Sequence, residues 1–459
     1  MVTKRLVDVS EKTVKTALKE GADQAQVASF LLDNALTRFA NSRIHQNVAS
    51  KTGGIVIKVV MDKKIGTLRV NTLEEKQIEG AVKKAVKIAK VSPSNKDFKN
   101  LPEPLKWAPI EGAFDPKTAL CTPDYRAEKV KELVESAHSE SNVVKAVAGS
   151  FSTGSASFAI SNSLGVSAWA QLSLAALNTT VISEAGGSEG FGSSVQFSRV
   201  VKGIDHIKAV NEAVEKSVKS VKPVKISPGD YEVVLSPRAV AVLLSFLGYI
   251  GFSATMYQDG QSFVKYHLGE QVFDEKLSVK DDARDSRTLY AVPVDGEGVP
   301  KLAVQLIDRG RVSEDSICYD SFTAGKEEDK SSTGHSIPPV VRFYPYPRPF
   351  PINIIISPRE SSMEEMIAET KYGVLITRFH YTNSLEPTKA ILTGLTRDGT
   401  FLVENGEISK PIMNLRFTDS MLSALKDVSL IGEELEQIDD TTAPAMKLRK
   451  LRFTGVTQY

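Results

Sequence analysis

The residue types that most often bind metals or transfer protons are sparse and scattered in this sequence. A zinc-binding helix of the common kind places two histidines about one turn apart, with a glutamate beside the first. No HExxH or CxxC pattern occurs. The histidines stand far from one another along the chain, at His45, His138, His206, His267, His335 and His380. Only residues distant in sequence could therefore assemble a metal site.

Two histidines and an acidic pair have contexts compatible with proton transfer. His267 lies in the polar run FVKYHLGEQ, and His335 lies in SSTGHS. Asp281 and Asp282 are adjacent, and two carboxyl groups could serve as a general acid and a general base. A lysine precedes this pair and an arginine follows it closely. That pattern favours a solvated turn over a catalytic pair.

Other chemical motifs are weak or missing. The stretch GGSEGFGSS at 186–194 is rich in glycine, but it lacks the Lys-Ser/Thr of a P-loop. We expect a flexible loop there, which could act as a lid or a partner contact. No GxSxG nucleophile motif occurs. The two cysteines, Cys121 and Cys318, cannot build a disulfide framework and are predicted to be separate structural thiols.

Composition and charge narrow the class of protein. The chain has 459 residues, of which 41% are apolar and 25% charged, as in folded globular proteins. Its 57 basic and 56 acidic residues leave a net charge of +1. This balance predicts neither a nucleic-acid nor a membrane-surface partner. No run is long enough to span a bilayer, and the polar start lacks a signal peptide, so a cytoplasmic location is expected.

The N-terminal half is predicted to hold two copies of a helix–strands–helix unit. In the first copy an apolar stripe predicts a helix over 5–20, ended by Gly21. Four strand-like runs follow, with a hairpin turn at Asp62-Lys63-Lys64, and then a helix over about 74–90. The runs are VASFLLDNAL, LTRFANSRIHQNVAS, GGIVIKVVMD and IGTLRVN. In the second copy, the helical patterns EKVKELVESAHSES and IDHIKAVNEAVEKSVKSVK enclose the strand-rich 145–183.

Domain limits follow from changes in composition. Proline-rich 91–117 is predicted to be a surface linker between the two copies. The predicted N-terminal domain is 1–222 and the C-terminal domain is 223–459. Strands and helices alternate irregularly, so the predicted fold class is α+β, with antiparallel sheets flanked by helices in each domain. The segment IPPVVRFYPYPRPFP, 337–351, is predicted to be extended and to lie on the surface or in a cleft.

The C-terminal half has clear local signals. YEVVLSP predicts a strand that leads into a helix containing the apolar run VLLSFLGYIGFS, 242–253. Ser361 or Ser362 fits a capping box that begins another helix. Asp398-Gly399 and Asn405-Gly406 are tight-turn signals, which together predict a three-stranded meander.

Several blocks of the sequence resemble the TldD/PmbA family of cytoplasmic proteins tied to a zinc peptidase. The most specific blocks are SSTGHS and TRDGTFLVENGEISKPI; DGEGVP, LIDRGRV and SMEEMIAETKYGVLITRF accompany them. Weaker similarity, through QNVASKTGGIVIKVVMDKKIGTLRV and ISNSLGVSAW, extends it over nearly the whole chain. The family was formerly called modulator of DNA gyrase.

This resemblance has implications for zinc. TldD-type members carry HExxxH on the helix after the YEVVLS-like strand and a cysteine near the C-terminus, whereas TldE (PmbA) members lack these ligands. If the helices align, Ser245 and Ile250 stand at the two histidines, and Phe246 stands at the glutamate. None of these side chains can bind zinc or activate water. The chain thus resembles the TldE type, with no cofactor of its own and zinc expected in a TldD-type partner that cleaves small unfolded peptides.

The same helix has an apolar repeat and a second face. Its apolar positions are expected to pack on the YEVVLS strand; they are Leu243, Leu244, Leu247, Ile250 and Gly251. Ser245, Phe246 and Tyr249 fall elsewhere around the helix and are candidates to line a cleft. Tyr249, His267 and His335 are the candidate peptide contacts.

Two other functions remain open on sequence grounds. One is a stand-alone homodimer that binds peptides or acts as a scaffold. The other is an independent enzyme without zinc, built from His267, His335, Asp281 and Asp282.

Overall fold

The computed structural model describes residues 2–341 and 349–457 of the chain. Its α-helices are α1 Val2–Lys19, α2 Glu75–Val91, α3 Pro116–Ala119, α4 Pro123–Glu140, α5 His206–Lys219, α6 Pro237–Gly251, α7 Ala254–Gln258, α8 Ser321–Ala324, α9 Met363–Ala368 and α10 Met421–Ala424. Short 3-10 helices lie at Val201–Gly203, Phe263–Tyr266, Glu314–Ser316 and Pro387–Lys389. No helix in the described ranges is both long and apolar enough to cross a membrane.

The strands of the first half are β1 Gln24–Ala40, β2 Arg43–Met61, β3 Lys64–Val70, β4 Val144–Asn162, β5 Ser167–Ala185 and β6 Ser188–Ser198. Those of the second half are β7 Gly229–Leu235, β8 Val279–Asp281, β9 Val304–Ile307, β10 Ile354–Ile356, β11 Tyr372–Ile376, β12 Phe379–Glu386, β13 Ile391–Thr396, β14 Thr400–Glu404, β15 Glu407–Pro411, β16 Leu415–Ser420, β17 Val428–Ile431, β18 Glu436–Ile438, β19 Thr441–Ala443 and β20 Met446–Val456.

The two N-terminal copies join into one antiparallel sheet with the order β3-β2-β1-β4-β5-β6. β1 and β4 pair at its centre, from Gln26 opposite Asn162 to Phe39 opposite Gly149. Helices α1 and α2 pack on the strands of the first copy, and α4 and α5 pack on those of the second. The predicted α+β class, with antiparallel sheets flanked by helices, is confirmed.

Local turn chemistry explains where the prediction succeeded and where it failed. Gly21, with φ +95°, ends α1 as predicted, and the Ala22 N–H donates to the Ala17 carbonyl oxygen at 3.1 Å. The Asp62-Lys63 hairpin also forms, with φ +48° and +60°. The strand predicted through LTRFANSRIHQNVAS is wrong, because the chain turns at Asn41 and Ser42, both with positive φ. Asparagine tolerates this conformation, whereas serine gives little local sign of it.

The predicted flexible loop at 186–194 is wrong as well. Gly186 and Gly187 form a tight turn, and the remaining residues, 188–194, begin β6, which pairs with β5. The other glycines serve packing: a Cβ on Gly192 would lie 2.0 Å from the Ala213 carbonyl oxygen, and one on Gly190 would lie 2.2 Å from that of Ser217. Glycine is therefore required where α5 lies directly on the strand.

The described C-terminal residues form two further sheets. One has the order β18-β19-β10-β8-β9, and the other has the order β12-β13-β16-β20-β7-β11-β14-β15, with β17 paired to β20. The predicted meander forms only in its second half: β14 and β15 pair across Asn405-Gly406. The Asp398-Gly399 turn instead carries the chain from β13 to β14, which lie apart in the sheet. A turn signal gives the local conformation but not which strands become neighbours.

Two other C-terminal expectations have definite outcomes. Ser362, rather than Ser361, caps α9, in a reciprocal pair of hydrogen bonds with Glu365. Of the proline-rich segment 337–351, residues 342–348 lie outside the described residues. Val340, Val341 and Phe350, on either side of them, contact the apolar face of the N-terminal sheet.

Replacing Gly192 by alanine should lower the free energy of unfolding by about 1–3 kcal/mol, because the new Cβ overlaps the backbone of α5. Denaturant unfolding followed by circular dichroism measures this change. Gly80→Ala in α2 is the matched control, since a Cβ there meets no atom within 4 Å. It should raise stability by about 0.5–1 kcal/mol through the better helix propensity of alanine. Equal effects of the two substitutions would contradict the packing role of Gly192.

Candidate functional site on helix α6

Helix α6 is fixed at its beginning by the side chain of Ser236. Its hydroxyl accepts a hydrogen bond from the Ala239 N–H and donates one of 2.6 Å to the Thr377 carbonyl oxygen. Pro237 occupies the first helical position, where a missing N–H costs nothing. The helix start is thereby joined both to β7, which precedes it, and to the end of β11.

Two faces of α6 have different environments. The helix lies between the two C-terminal sheets and contacts β7 and β12 of one and β10, β18 and β19 of the other. Leu243, Leu247 and Ile250 are completely buried there. A second face, which we call the α6 stripe, remains half-buried; it consists of Val242, Ser245, Phe246 and Tyr249. These positions are three and four residues apart and so lie on one side of the helix.

Ser245 is the polar centre of the α6 stripe. Its hydroxyl donates a hydrogen bond of 2.8 Å to Oδ2 of Asp440, and Thr441 Oγ1 donates to the other carboxyl oxygen. Burial, and then the negative charge of Asp439, raise the pKa of Asp440 to about 7. Sequence reasoning missed Asp440, because its only local signal is the acidic pair in QIDDTT, far from α6 along the chain.

The remaining α6 residues singled out from sequence have apolar surroundings. The ring of Tyr249 meets that of Phe350 edge-on, with centroids 6.1 Å apart. Phe246 packs against the apolar core while keeping some exposure, and Ile250 is fully inside that core. Tyr249 therefore keeps part of its surface accessible, while Ile250 does not.

The donor set of α6 does not fit zinc. A hydrolytic zinc site needs about three nitrogen, sulfur or oxygen ligands around the ion. Phe246 and Ile250 supply no such atom, and the Ser245 hydroxyl is engaged with Asp440. Within 2–341 and 349–457, no three His, Cys, Asp or Glu side chains are grouped so that they could hold a metal.

His267 and His335 lie in contrasting environments. His267 follows the 3-10 helix Phe263–Tyr266 at the surface, where its Nδ1 lies 2.8 Å from Oε2 of Glu270. His335 is only 1% exposed. Its Nε2 lies 3.0 Å from Oδ1 of Asp281, and its Nδ1 faces Thr333. The structure thus does not bring the two histidines together, and no surface of His335 is open to a peptide in this conformation.

Asp281 belongs to the interior, so the predicted solvated turn is wrong for it. It ends β8 with no exposed surface, and Lys301 Nζ lies 3.3 Å from its Oδ1. The Asn353 N–H donates to Oδ2 at 2.6 Å. The neighbouring Asp282 is more exposed and pairs with Lys280 at 3.0 Å. Alternation along a strand places one member of the acidic pair inside and the other outside.

The charges of this interior cluster depend on one another. Burial by itself raises the pKa of Asp281, but Lys301 and His335 outweigh this and hold it well below its usual range. Burial and the positive charge of Lys301 lower the pKa of His335. The negative charge of Asp281 raises this pKa, but by less, so the net effect is a lowered pKa. The expected state near neutral pH is a lysine–aspartate ion pair beside a neutral imidazole. Burial also raises the pKa of the Cys318 thiol well above its usual range, so this thiol is not a reactive nucleophile.

Lys301→Met should lower the free energy of unfolding by about 3–5 kcal/mol, because it leaves the Asp281 carboxylate buried without its cation. Lys276→Met provides a matched control. Lys276 Nζ also lies 3.3 Å from an aspartate oxygen, but its side chain is 46% exposed. The control should cost less than about 1 kcal/mol. Chemical denaturation of both variants measures the difference, and equal losses would refute the role given to burial.

The contribution of His335 to stability should fall as the pH drops below about 6.5, the ordinary pKa of histidine, while Asp440, whose pKa is raised, contributes in the opposite direction. The unfolded chain takes up a proton at His335 that the folded chain resists, because the folded-state pKa is lowered. The slope per group is at most about 1.4 kcal/mol per pH unit. His335→Gln should remove this contribution and so change the pH dependence of stability, whereas substitution of the exposed His45 should leave the pH dependence unchanged. Unfolding curves between pH 5 and 8 test this, and an unchanged slope in His335→Gln would exclude the mechanism.

Comparison with known families and proteins agrees with this architecture along most of the chain. Residues 228–455 match the PmbA/TldA metallopeptidase C-terminal domain. Residues 34–89 match domain 1 of the same metallopeptidase, and residues 122–221 match its central domain. The α6 stripe and the interior Asp281 cluster both lie in the part that matches the C-terminal domain.

Individual relatives extend the similarity over their full length. A metalloprotease of Methanocaldococcus jannaschii is 22% identical over 440 residues, which cover 91% of this chain and 92% of that protein. The metalloprotease PmbA homolog of Haemophilus influenzae is 23% identical, with 98% of each chain covered. The crystal structure of TldE from Thermococcus kodakarensis superposes with a TM-score of 0.88 at 20% identity, covering 97% of this chain and 100% of that one. The three domain matches, in family order and with a shared fold, establish that this chain belongs to the PmbA/TldD family.

Proposed function

We propose that this chain is the non-catalytic subunit of a cytoplasmic TldD/TldE-type zinc peptidase that processes or degrades small unfolded peptides. The observation that carries the proposal is the set of side chains on α6. Ser245, Phe246 and Ile250 occupy the positions at which TldD-type chains are expected to carry zinc ligands and the catalytic glutamate. The partner subunit would supply the zinc, and this chain would complete the peptide-binding chamber.

The half-buried α6 stripe supports a role in contacting peptide. A helix face used only for packing would be covered, as the Leu243 and Leu247 face is. Here Ser245, Phe246 and Tyr249 retain partial exposure. They offer a hydroxyl and two aromatic rings, which can contact many peptide sequences without selecting one. Such tolerance suits a subunit that handles unfolded peptides.

The free edge of β2 supports association with another chain. On one side, β2 pairs with β1 along its whole length; on the other, β3 pairs only with Ile55–Met61. No strand in the described part of the chain pairs with that edge over 43–54. All of Arg43–Lys51 is exposed, with Ile44 at 38% and Val48 at 40%. An unpaired edge of this kind can accept a strand from a partner or from a second copy.

Because that edge also suits a second copy, a homodimeric peptide-binding protein is the alternative function. The two differ in what assembles: a mixed complex that cleaves peptides, or a self-complex that only binds them. Neither reading requires a catalytic group in this chain.

The first experiment mixes the purified chain with a TldD-type chain from the same source. Size-exclusion chromatography with light scattering reports assembly, and an unstructured peptide assayed in the same fractions reports cleavage. We expect cleavage only in the mixed complex, and a chelator should abolish it. Replacing the partner's catalytic glutamate by glutamine should reduce the rate by about 10²–10⁴, the usual contribution of a general base.

Each other outcome decides against the proposal. Cleavage by this chain alone, sensitive to a chelator, would mean that it holds its own metal site. A stable homodimer that does not bind the TldD-type chain would favour the peptide-binding alternative.

Phe246→Ala in the complex provides a control for α6: it should leave the zinc content of the complex unchanged, since the metal belongs to the partner.

A further inference from the structure

A cavity of about 340 Å³ lies at the first turn of α6, between the N-terminal and C-terminal parts of the chain. Residues of β6 and α5 line one side, and residues of α9 and β11 line the other. Its apolar lining includes Ile367, Leu375 and Phe401. Pockets that bind small molecules have about this size and combine an apolar lining with a few placed polar groups.

Arg238 provides a cation in this cavity. It is the second residue of α6, and its Nη1 donates a hydrogen bond of 3.0 Å to Ser193 Oγ. Within the described residues, no carboxylate forms an ion pair with it. A guanidinium has five N–H donors, so most of its donors are free. Burial, and then the charge of Arg378, lower the pKa of Arg238 to about 10, which still leaves it charged near neutral pH.

The acidic groups near Arg238 are mostly engaged with other cations. Asp398 forms an ion pair with Arg378. Glu212 accepts hydrogen bonds from Lys216 at 2.5 Å and from Ser194 at 2.8 Å. A desolvated cation with free donors and no ion-paired carboxylate is unfavourable, and an external anion that accepts its hydrogen bonds would relieve it.

Glu436, on the edge strand β18, also lines the cavity. Partial desolvation, and then the charge of Glu212, raise its pKa. It limits the negative charge that the cavity can accept. Lys216 and Lys219 also line the cavity but already pair with Glu212 and Glu215, so a dianionic phosphate beside Arg238 would face this carboxylate with only the arginine left to balance it. A single carboxylate attached to an apolar group is the better match.

We propose that this cavity binds the C-terminal carboxylate of a short peptide, with Arg238 as its partner and the last, apolar side chain against Ile367 and Leu375. The inference rests on the proposed function and deepens it, because it names the end of the peptide that this chain holds. A planar guanidinium can donate two parallel hydrogen bonds to a carboxylate, which fixes the orientation of the peptide end.

The test is calorimetric titration of the isolated, full-length chain at pH 7. The probes are N-acetyl-Gly-Gly-Leu with a free carboxylate, the same peptide as its C-terminal amide, and inorganic phosphate. The free acid should bind at least about tenfold more tightly than the amide, as expected for a charge-assisted hydrogen bond. Equal affinities of acid and amide, or displacement of the peptide by equimolar phosphate, would overturn the proposal.

Variants locate the binding in the cavity. Arg238→Met should weaken binding of the acid at least about tenfold and abolish its preference over the amide. Glu436→Gln should strengthen it, because a like charge is removed. Lys219→Met is the matched control: this lysine also lines the cavity, but it already pairs with Glu215 at 2.6 Å. It should change the affinity less than about twofold.

Two further measurements keep a folding defect from imitating the result. Melting temperatures identify unstable variants. If Arg238→Met does not fold, Arg238→Lys replaces it in the titration, because lysine keeps the positive charge but cannot donate two parallel hydrogen bonds. Ile367→Trp should fill the apolar part of the cavity and weaken binding without touching Arg238. Unchanged affinity in both Arg238→Lys and Ile367→Trp would exclude this cavity. The titration needs no partner chain, so its result stands even if the mixed complex does not form. Likewise, a failed titration would leave the result of the assembly experiment unchanged.

Discussion

The buried carboxylate of Asp281 holds together segments of the C-terminal half that lie far apart in sequence. It pairs with Lys301 and His335, and it accepts the Asn353 N–H. The segment before Asn353 carries Phe350, whose ring packs on Tyr249 of α6. One interior ion pair therefore determines where the segment that covers α6 can lie. Since a buried charge without its partner is costly, this arrangement has few alternatives of similar energy.

Helix α6, which lies next to that interior cluster, has a buried face that packs between the sheets and a half-buried face with different side chains. Its leucines and Ile250 join the sheets on either side of it, while Ser245, Phe246 and Tyr249 form a half-buried surface. In a family that contains metalloproteases, this surface carries a hydroxyl and aromatic rings and no metal ligands. The family fold can thus be kept by the buried face alone, because packing depends on volume and apolarity. The half-buried face is under no such packing constraint, so its chemistry can change without loss of the fold.

The surfaces proposed for association and for peptide binding lie on different parts of the molecule. The free edge of β2 belongs to the N-terminal sheet, whereas the cavity beside Arg238 lies where the N-terminal and C-terminal parts meet. α6 begins at that cavity and continues along its stripe. A peptide held at Arg238 would therefore lie near the start of α6. The unusual feature of the cavity is a largely buried arginine that forms no ion pair within the described residues, since Asp398 pairs with Arg378 and Glu212 with Lys216.

Local physical chemistry, read from the sequence alone, determined the six longest α-helices, most of the predicted turns and the α+β class. Helix periodicity, the Gly21 end and the Ser362 cap depend only on residues a few positions apart, so they survive without knowledge of the fold. Tertiary structure alone decided that β13 and β14 lie apart, that 188–194 is strand rather than loop, and that Asp281 is interior. Each of these outcomes depends on which distant segment packs against the residue. Gly190 and Gly192 suggest a flexible loop, but they are needed because α5 lies directly on their strand. Asp281 is interior because it pairs with Lys301, twenty positions away. Long-range pairing determines these outcomes, and a local pattern carries no information about it.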